Sequence, residues 1–229
     1  MAEIASNWAM SNPLEARLTQ LLAKSLEQEI AKGLSPLATR LARQFGQGDE
    51  GKLERQLLPF CQEYILLVPT LVTSLESIGR EFRLISLLET YLSLATQYID
   101  SACDEIEINS ESVSLEQFLI LLQGAYIFCR MVEELDDKAQ SFIGIPLNNI
   151  NLMDANLIVH EIIGDSFANR LDKVVTSLVK QSSVSKSVIE ANLNRDAINA
   201  SKSSHSNLTG RPVENFAEKH GLDLLSGLT

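Results

Sequence analysis

Two polar clusters interrupt apolar helical patterns in this chain. The first holds Arg130, Glu133, Glu134, Asp136 and Asp137; the second holds Asn156, His160, Glu161 and Asp165. Carboxylates beside an imidazole can ligate a metal ion or move a proton. The same residue types also make a solvated acidic face with one hydrogen-bonded histidine. Helical phase helps to sort them. Leu115, Leu119, Leu122, Tyr126 and Cys129 form a stripe, and one further helical step reaches Glu133 at the border of the apolar face. Arg130 stands four residues before Glu134, an ion-pair spacing in its less favourable order. In the later segment, the face of Phe167, Leu171, Val174 and Leu178 runs back through Ile163, His160, Asn156 and Met153. Asn156 and His160 thus take core positions, with Glu161, Asp165 and Asp172 on another side.

Two chemistries follow. Glu133, Asn156 and His160 form a candidate polar core site, in which hydrogen bonds offset the desolvation of buried polar groups. No catalytic residue is assigned there. The alternative is a metal site of Glu133, Asp137 and His160 holding Fe, Mn or Zn, with the metal activating water or oxygen. Spacing argues against two standard versions of it. The residue three before His160 is Leu157, not the glutamate of a di-metal bundle, and the residue four after it is Gly164, not the second histidine of a metalloprotease helix. Neighbouring residues on a helix diverge by about 100°, so His160 and Glu161 cannot share one small site. Gly164 is expected to let a neighbouring helix approach closely. The chain has no Gly-x-Ser-x-Gly elbow and no glycine-rich phosphate loop.

The elements that must position these groups read as helices. Asn12-Pro13 opens a helix through Leu14, Leu18, Leu21, Leu22, Leu26 and Ile30, ended by Gly33. Ser35-Pro36 starts a shorter one through Phe45. A third covers about 52–68, with Pro59 and Pro69 as points of kinking or restart. A short amphipathic stretch at 71–78 and a two-sided helix at 81–100 follow, with 104–110 as a connection. Ser114 and Gln117 have the spacing of a capping box for a helix through about Ala139. Gly144 and Pro146 punctuate an apolar loop at 140–147, and one long helix, capped by Asp154 or Asn151, runs through Leu178. The fold expected is all-α, a compact multi-helix bundle of about five to seven helices over residues 1–180. The two-sided helix at 81–100 can bury its faces within a monomer or across a homodimer interface.

Composition limits the function further. The 229 residues carry a net charge of -11, which disfavours direct contact with nucleic acid or an acidic membrane surface. The densest apolar run, 64–72, is shorter than the ~20 residues of a membrane-spanning helix. The start of the sequence does not resemble a signal peptide, and Cys61, Cys103 and Cys129 read as buried free thiols of a cytoplasmic protein. Residues 181–229, rich in Ser and Asn, read as a flexible tail. Within it, Arg211, Val213, Phe216, Leu222 and Leu225 form a candidate segment for binding a partner, and removing 211–229 is expected to leave the bundle's stability unchanged. The leading functional expectation is a cytoplasmic protein-interaction or regulatory protein that works by helix or peptide docking, without a cofactor. Its acidic residues would select a basic protein partner. The alternative is a small helical metalloenzyme with the carboxylate-histidine site.

Overall fold

Apolar residues at helical spacing set the order of elements in the computed structural model, which describes residues 13–44, 50–81, 83–109, 111–143, 150–181, 214–220 and 222. They are α1 (Pro13–Ala23), α2 (Glu27–Gln44), α3 (Glu50–Glu81), α4 (Ile85–Asn109), α5 (Leu115–Ile143), β1 (Ile150–Asn151), α6 (Met153–Ile163), α7 (Asp165–Gln181), β2 (Glu214–Asn215) and α8 (Phe216–Lys219). The fold is an all-α bundle. Helix α5 is its centre and packs on α2, α3, α4, α6 and α7. Phe118, Leu121, Leu122, Ala125, Phe128, Cys129 and Val132 of α5 are buried, so both of its apolar stripes face protein. The capping box at its start is formed: the Ser114 amide donates to Gln117 Oε1 at 3.0 Å, and the Gln117 amide donates to Ser114 Oγ at 3.4 Å. At Gly124 an added Cβ would lie 3.1 Å from the Ile99 Cα, so the glycine lets α4 approach the α5 backbone.

The helix breaks fall elsewhere than glycine and proline suggest. Helix α2 runs unbroken through Gly33 and Pro36, and α3 through Pro59 and Pro69. Pro36 and Pro59 are exposed, so the carbonyls they leave without an amide donor can turn to water. At Gly33, inside α2, the space a Cβ would take is filled by the end of the Leu115 side chain. The expected helix through Leu26 and Ile30 breaks instead at Lys24–Leu26. There the Leu26 amide donates to the Val113 carbonyl and the Val113 amide to that of Lys24, both at 3.0 Å. The expected connection at 104–110 is helical through Asn109. Buried Ile106 anchors that turn, and Arg17 of α1 binds Asp104 and, at 2.8 Å, Glu107 on its exposed side.

Helix α3 and the Leu115–Asp137 part of α5 are long and apolar enough to cross a membrane by length and composition alone. Their most apolar windows are 50% and 61% buried inside the bundle, which is how core helices of a packed fold behave. Helix α4 buries Leu88, Tyr91, Leu92, Ala95 and Ile99 within the same chain, against α3 and α5.

Two features control the polar clusters. First, the expected single helix from 154 to 178 is two helices, α6 and α7, broken at Gly164 with φ +87°. An added Cβ there would meet nothing within 4 Å, so Gly164 serves backbone conformation and not the close approach of a helix. Second, β1 and β2 pair in parallel, Ile150 with Glu214 and Asn151 with Asn215. This pairing carries α8 onto the bundle, where Phe216, Ala217 and Leu222 join the core at 3%, 1% and 1% exposure. Residues 182–213, 221 and 223–229 of the expected tail lie outside the described residues.

Candidate functional site

Asn156 is the buried polar side chain among the described residues, at 3% exposure. Helix α6 turns it inward because its neighbours Ala155, Ile158, Val159 and Ile162 are the buried face. Tyr64 of α3 donates its hydroxyl to Asn156 Oδ1 at 2.5 Å. Asn156 Nδ2 in turn donates to Glu133 Oε2 of α5. The carboxylate offers only acceptors, so these two partners fix the orientation of the amide. Arg130, one turn before Glu133, donates from Nη1 to the same Oε2 at 2.5 Å. Its pairing with Glu134, expected from the i,i+4 spacing, is longer at 3.6 Å.

The network continues into α7. Arg130 Nε lies 3.4 Å from Asp172 Oδ1, to which Tyr126 also donates its hydroxyl at 3.0 Å. Tyr126 Oη stands 3.2 Å from His160 Nδ1. His160 faces Asp172 Oδ2 at 3.8 Å and, through Nε2, Asp165 Oδ1 at 3.6 Å. Helical phase puts Asp165 and Asp172 on the side away from His160. The left-handed residue at Gly164 resets that phase and brings both aspartates to the imidazole. Glu161 instead meets α2, where Arg40 donates to its carbonyl.

These residues surround a cavity of about 270 Å³ lined by Tyr126, Arg130, Glu133, Asp154, Asn156, His160 and Asp172. Met153 and Leu157 complete the lining and are 59% and 39% exposed. Three carboxylates, Glu133, Asp154 and Asp172, therefore line the recess together with one guanidinium, and Arg130 pairs with Glu133 and Asp172. Burial opposes the charge on Arg130, but the charge and hydrogen bond of Glu133, with Tyr126 and Asp172, outweigh it and raise its pKa. Burial, then the charge of Asp172, pushes the Tyr126 phenol up, so it stays a neutral donor. Burial likewise raises Tyr64 well above its ordinary value. The chemistry available is fixed hydrogen bonding around a negatively charged recess.

The candidate core trio is thus split between two neighbouring contacts. Glu133 and Asn156 are hydrogen-bonded, and His160 joins them through Tyr126, Asp172 and Arg130. The alternative trio of Glu133, Asp137 and His160 is not brought together. Glu133 is engaged by Arg130 and Asn156, Asp137 is exposed, and the carboxylates nearest His160 belong to Asp165 and Asp172. No group of three His, Cys, Asp or Glu among the described residues is arranged to hold a metal ion. Sequence reasoning missed Tyr64 and Tyr126 as site residues. A buried tyrosine hydroxyl needs a partner, and that signal was present in both apolar stripes.

Of the expected partner-binding segment, Phe216 and Leu222 are buried in this protein's own core. The Phe216 ring lies 5.7 Å from that of Phe60, 6.3 Å from Tyr64 and 4.6 Å from His220. Arg211, Val213 and Leu225 fall outside the described residues. Comparison with protein-family models, curated proteins and solved structures found no match for the chain.

Proposed function

We propose that this chain is a protein-interaction or regulatory protein that docks a short basic segment of a protein partner on the α6 face. One observation carries the reading: a recess with three carboxylates to one guanidinium is rimmed by the exposed apolar residues Met153 and Leu157. A lysine or arginine side chain matches both parts. Its aliphatic stem covers apolar surface and its charged head reaches the carboxylates. The cavity, at about 270 Å³, falls just under the ~300–1,000 Å³ of drug-sized ligand sites. One side chain suits it better than a large cofactor. The net charge of -11 adds long-range attraction for a basic partner. Three buried free thiols fit work in a reducing compartment such as the cytoplasm.

The test is an NMR titration of the full chain with acetyl-Ala-Lys-Ala-amide, using the norleucine analogue as neutral control. Saturating shifts at α6 are expected with the lysine peptide, weakened by added salt. They should be reduced in the Met153→Ser, Leu157→Ser double variant, which alters only exposed side chains. Equal responses to both peptides, or no response at α6, would overturn the reading.

A further inference from the structure

The C-terminal segment 214–222 reaches the α6 pocket by two separate routes. Phe216 packs against the Tyr64 ring at 6.3 Å, and the Tyr64 hydroxyl holds Asn156, which holds Glu133 in the pocket wall. Independently, β2 pairs with β1, and Asn151 of β1 accepts a 3.0 Å hydrogen bond from the Met153 amide at the start of α6. Met153 and Asp154, the first residues of α6, line the pocket. Both routes end in the lining of the pocket, the first at Asn156 and Glu133 and the second at the start of α6.

The attachment of this segment is small beside that of the long helices. It includes a two-residue strand pair, the buried residues Phe216, Ala217 and Leu222, ring contacts of Phe216 and His220 with Phe60, and a 3.2 Å contact from His220 Nε2 to Glu63 Oε2. Elements with few buried contacts open at lower free energy than the core they rest on. We infer that segment 214–222 is a control element for the α6 pocket: docked, it fixes Asn156 and Glu133 through Tyr64, and undocked, it releases them and weakens docking of the basic segment. Undocking uncovers the Tyr64 ring, and water then competes with Asn156 for its hydroxyl. Asn156 loses the partner that orients its amide, and Glu133 is left to Arg130. Coupling of this kind is reciprocal, so an occupied pocket holds the segment in place.

The functional half of this inference rests on the docking reading; the structural half is readable without a ligand. The experiment uses full-length Phe216→Ala, Tyr64→Phe and the double variant. Tyr64→Phe keeps the ring against Phe216 and removes the hydroxyl that links to Asn156 and also meets Cys129, so it also serves if Phe216→Ala fails to fold. Hydrogen exchange without peptide should accelerate over 150–163 in each single variant while α4 keeps its protection. Affinity for acetyl-Ala-Lys-Ala-amide should fall about fivefold or more in each, with the double variant no weaker than the worse single one. Saturating peptide should slow exchange at 214–219 in the unaltered chain. Unchanged exchange over 150–163, or additive affinity losses, would overturn the control element. If the unaltered chain binds no peptide, the docking reading fails and the exchange result alone decides whether segment and pocket are coupled.

Discussion

Asn156 was legible as an interruption in an apolar stripe, and so was His160. Glu133 was legible at the border of its own stripe, one helical step past Cys129. Their partners were not. Tyr64 is 92 residues from Asn156 in sequence, and helical spacing carries no information at that range. Replacing Asn156 by Ala leaves the Tyr64 hydroxyl and the Glu133 carboxylate each short of a partner. Loss of about 1–3 kcal/mol is expected in urea unfolding. The thiols give a second prediction. Burial pushes Cys129 up to about 12 from an ordinary 9.0. Cys103 also rises to about 12, chiefly by burial, although Arg17 opposes the shift. The stability these thiols contribute is fully present below 9.0 and is lost as pH climbs toward 12, because the unfolded chain ionises and the folded one does not. The urea midpoint should therefore fall as pH rises above 9.0 toward about 12, and less steeply in Cys129→Ala.

At the scale of elements, helix content was legible and helix boundaries were not. Gly33, Pro36, Pro59 and Pro69 read as punctuation, yet each lies inside a helix whose buried face continues past it. The breaks that matter are at Lys24–Leu26, made by a bridge to Val113, and at Gly164, made by a positive φ. Neither cause is visible in local spacing. The Ser114 box was legible because both of its partners lie within one turn. Ser114→Ala should cost about 1 kcal/mol in thermal or urea unfolding. The two glycines should respond for different reasons. Gly124→Ala forces the Ile99 backbone away and should cost about 1–3 kcal/mol. Gly164→Ala has open space around it and should cost about 1–2 kcal/mol through backbone strain alone. Crystal structures of the two variants would check this: α4 shifts in the first, and only the α6–α7 joint in the second.

For the whole molecule, the described core extends beyond the expected bundle of residues 1–180. The composition of 181–229 hid a buried segment because Phe216, Ala217 and Leu222 are few among many polar residues. Removal of residues 214–229 is expected to cost about 3 kcal/mol or more, from the loss of buried Phe216 with its neighbours. A lowered Tm and new binding of a hydrophobic dye would report it; an unchanged Tm would restore the expectation that 211–229 is dispensable. The pairing of Ile150 with Glu214 also has a consequence for synthesis. Every helix that receives the segment leaves the ribosome before the segment does, because all of them precede residue 214 in the chain. For that interval the nascent bundle lacks Phe216 against Phe60 and Tyr64, and β1 is an unpaired edge. A chaperone that recognises apolar surface therefore has a defined window in which to engage this chain, and it closes when Phe216 arrives.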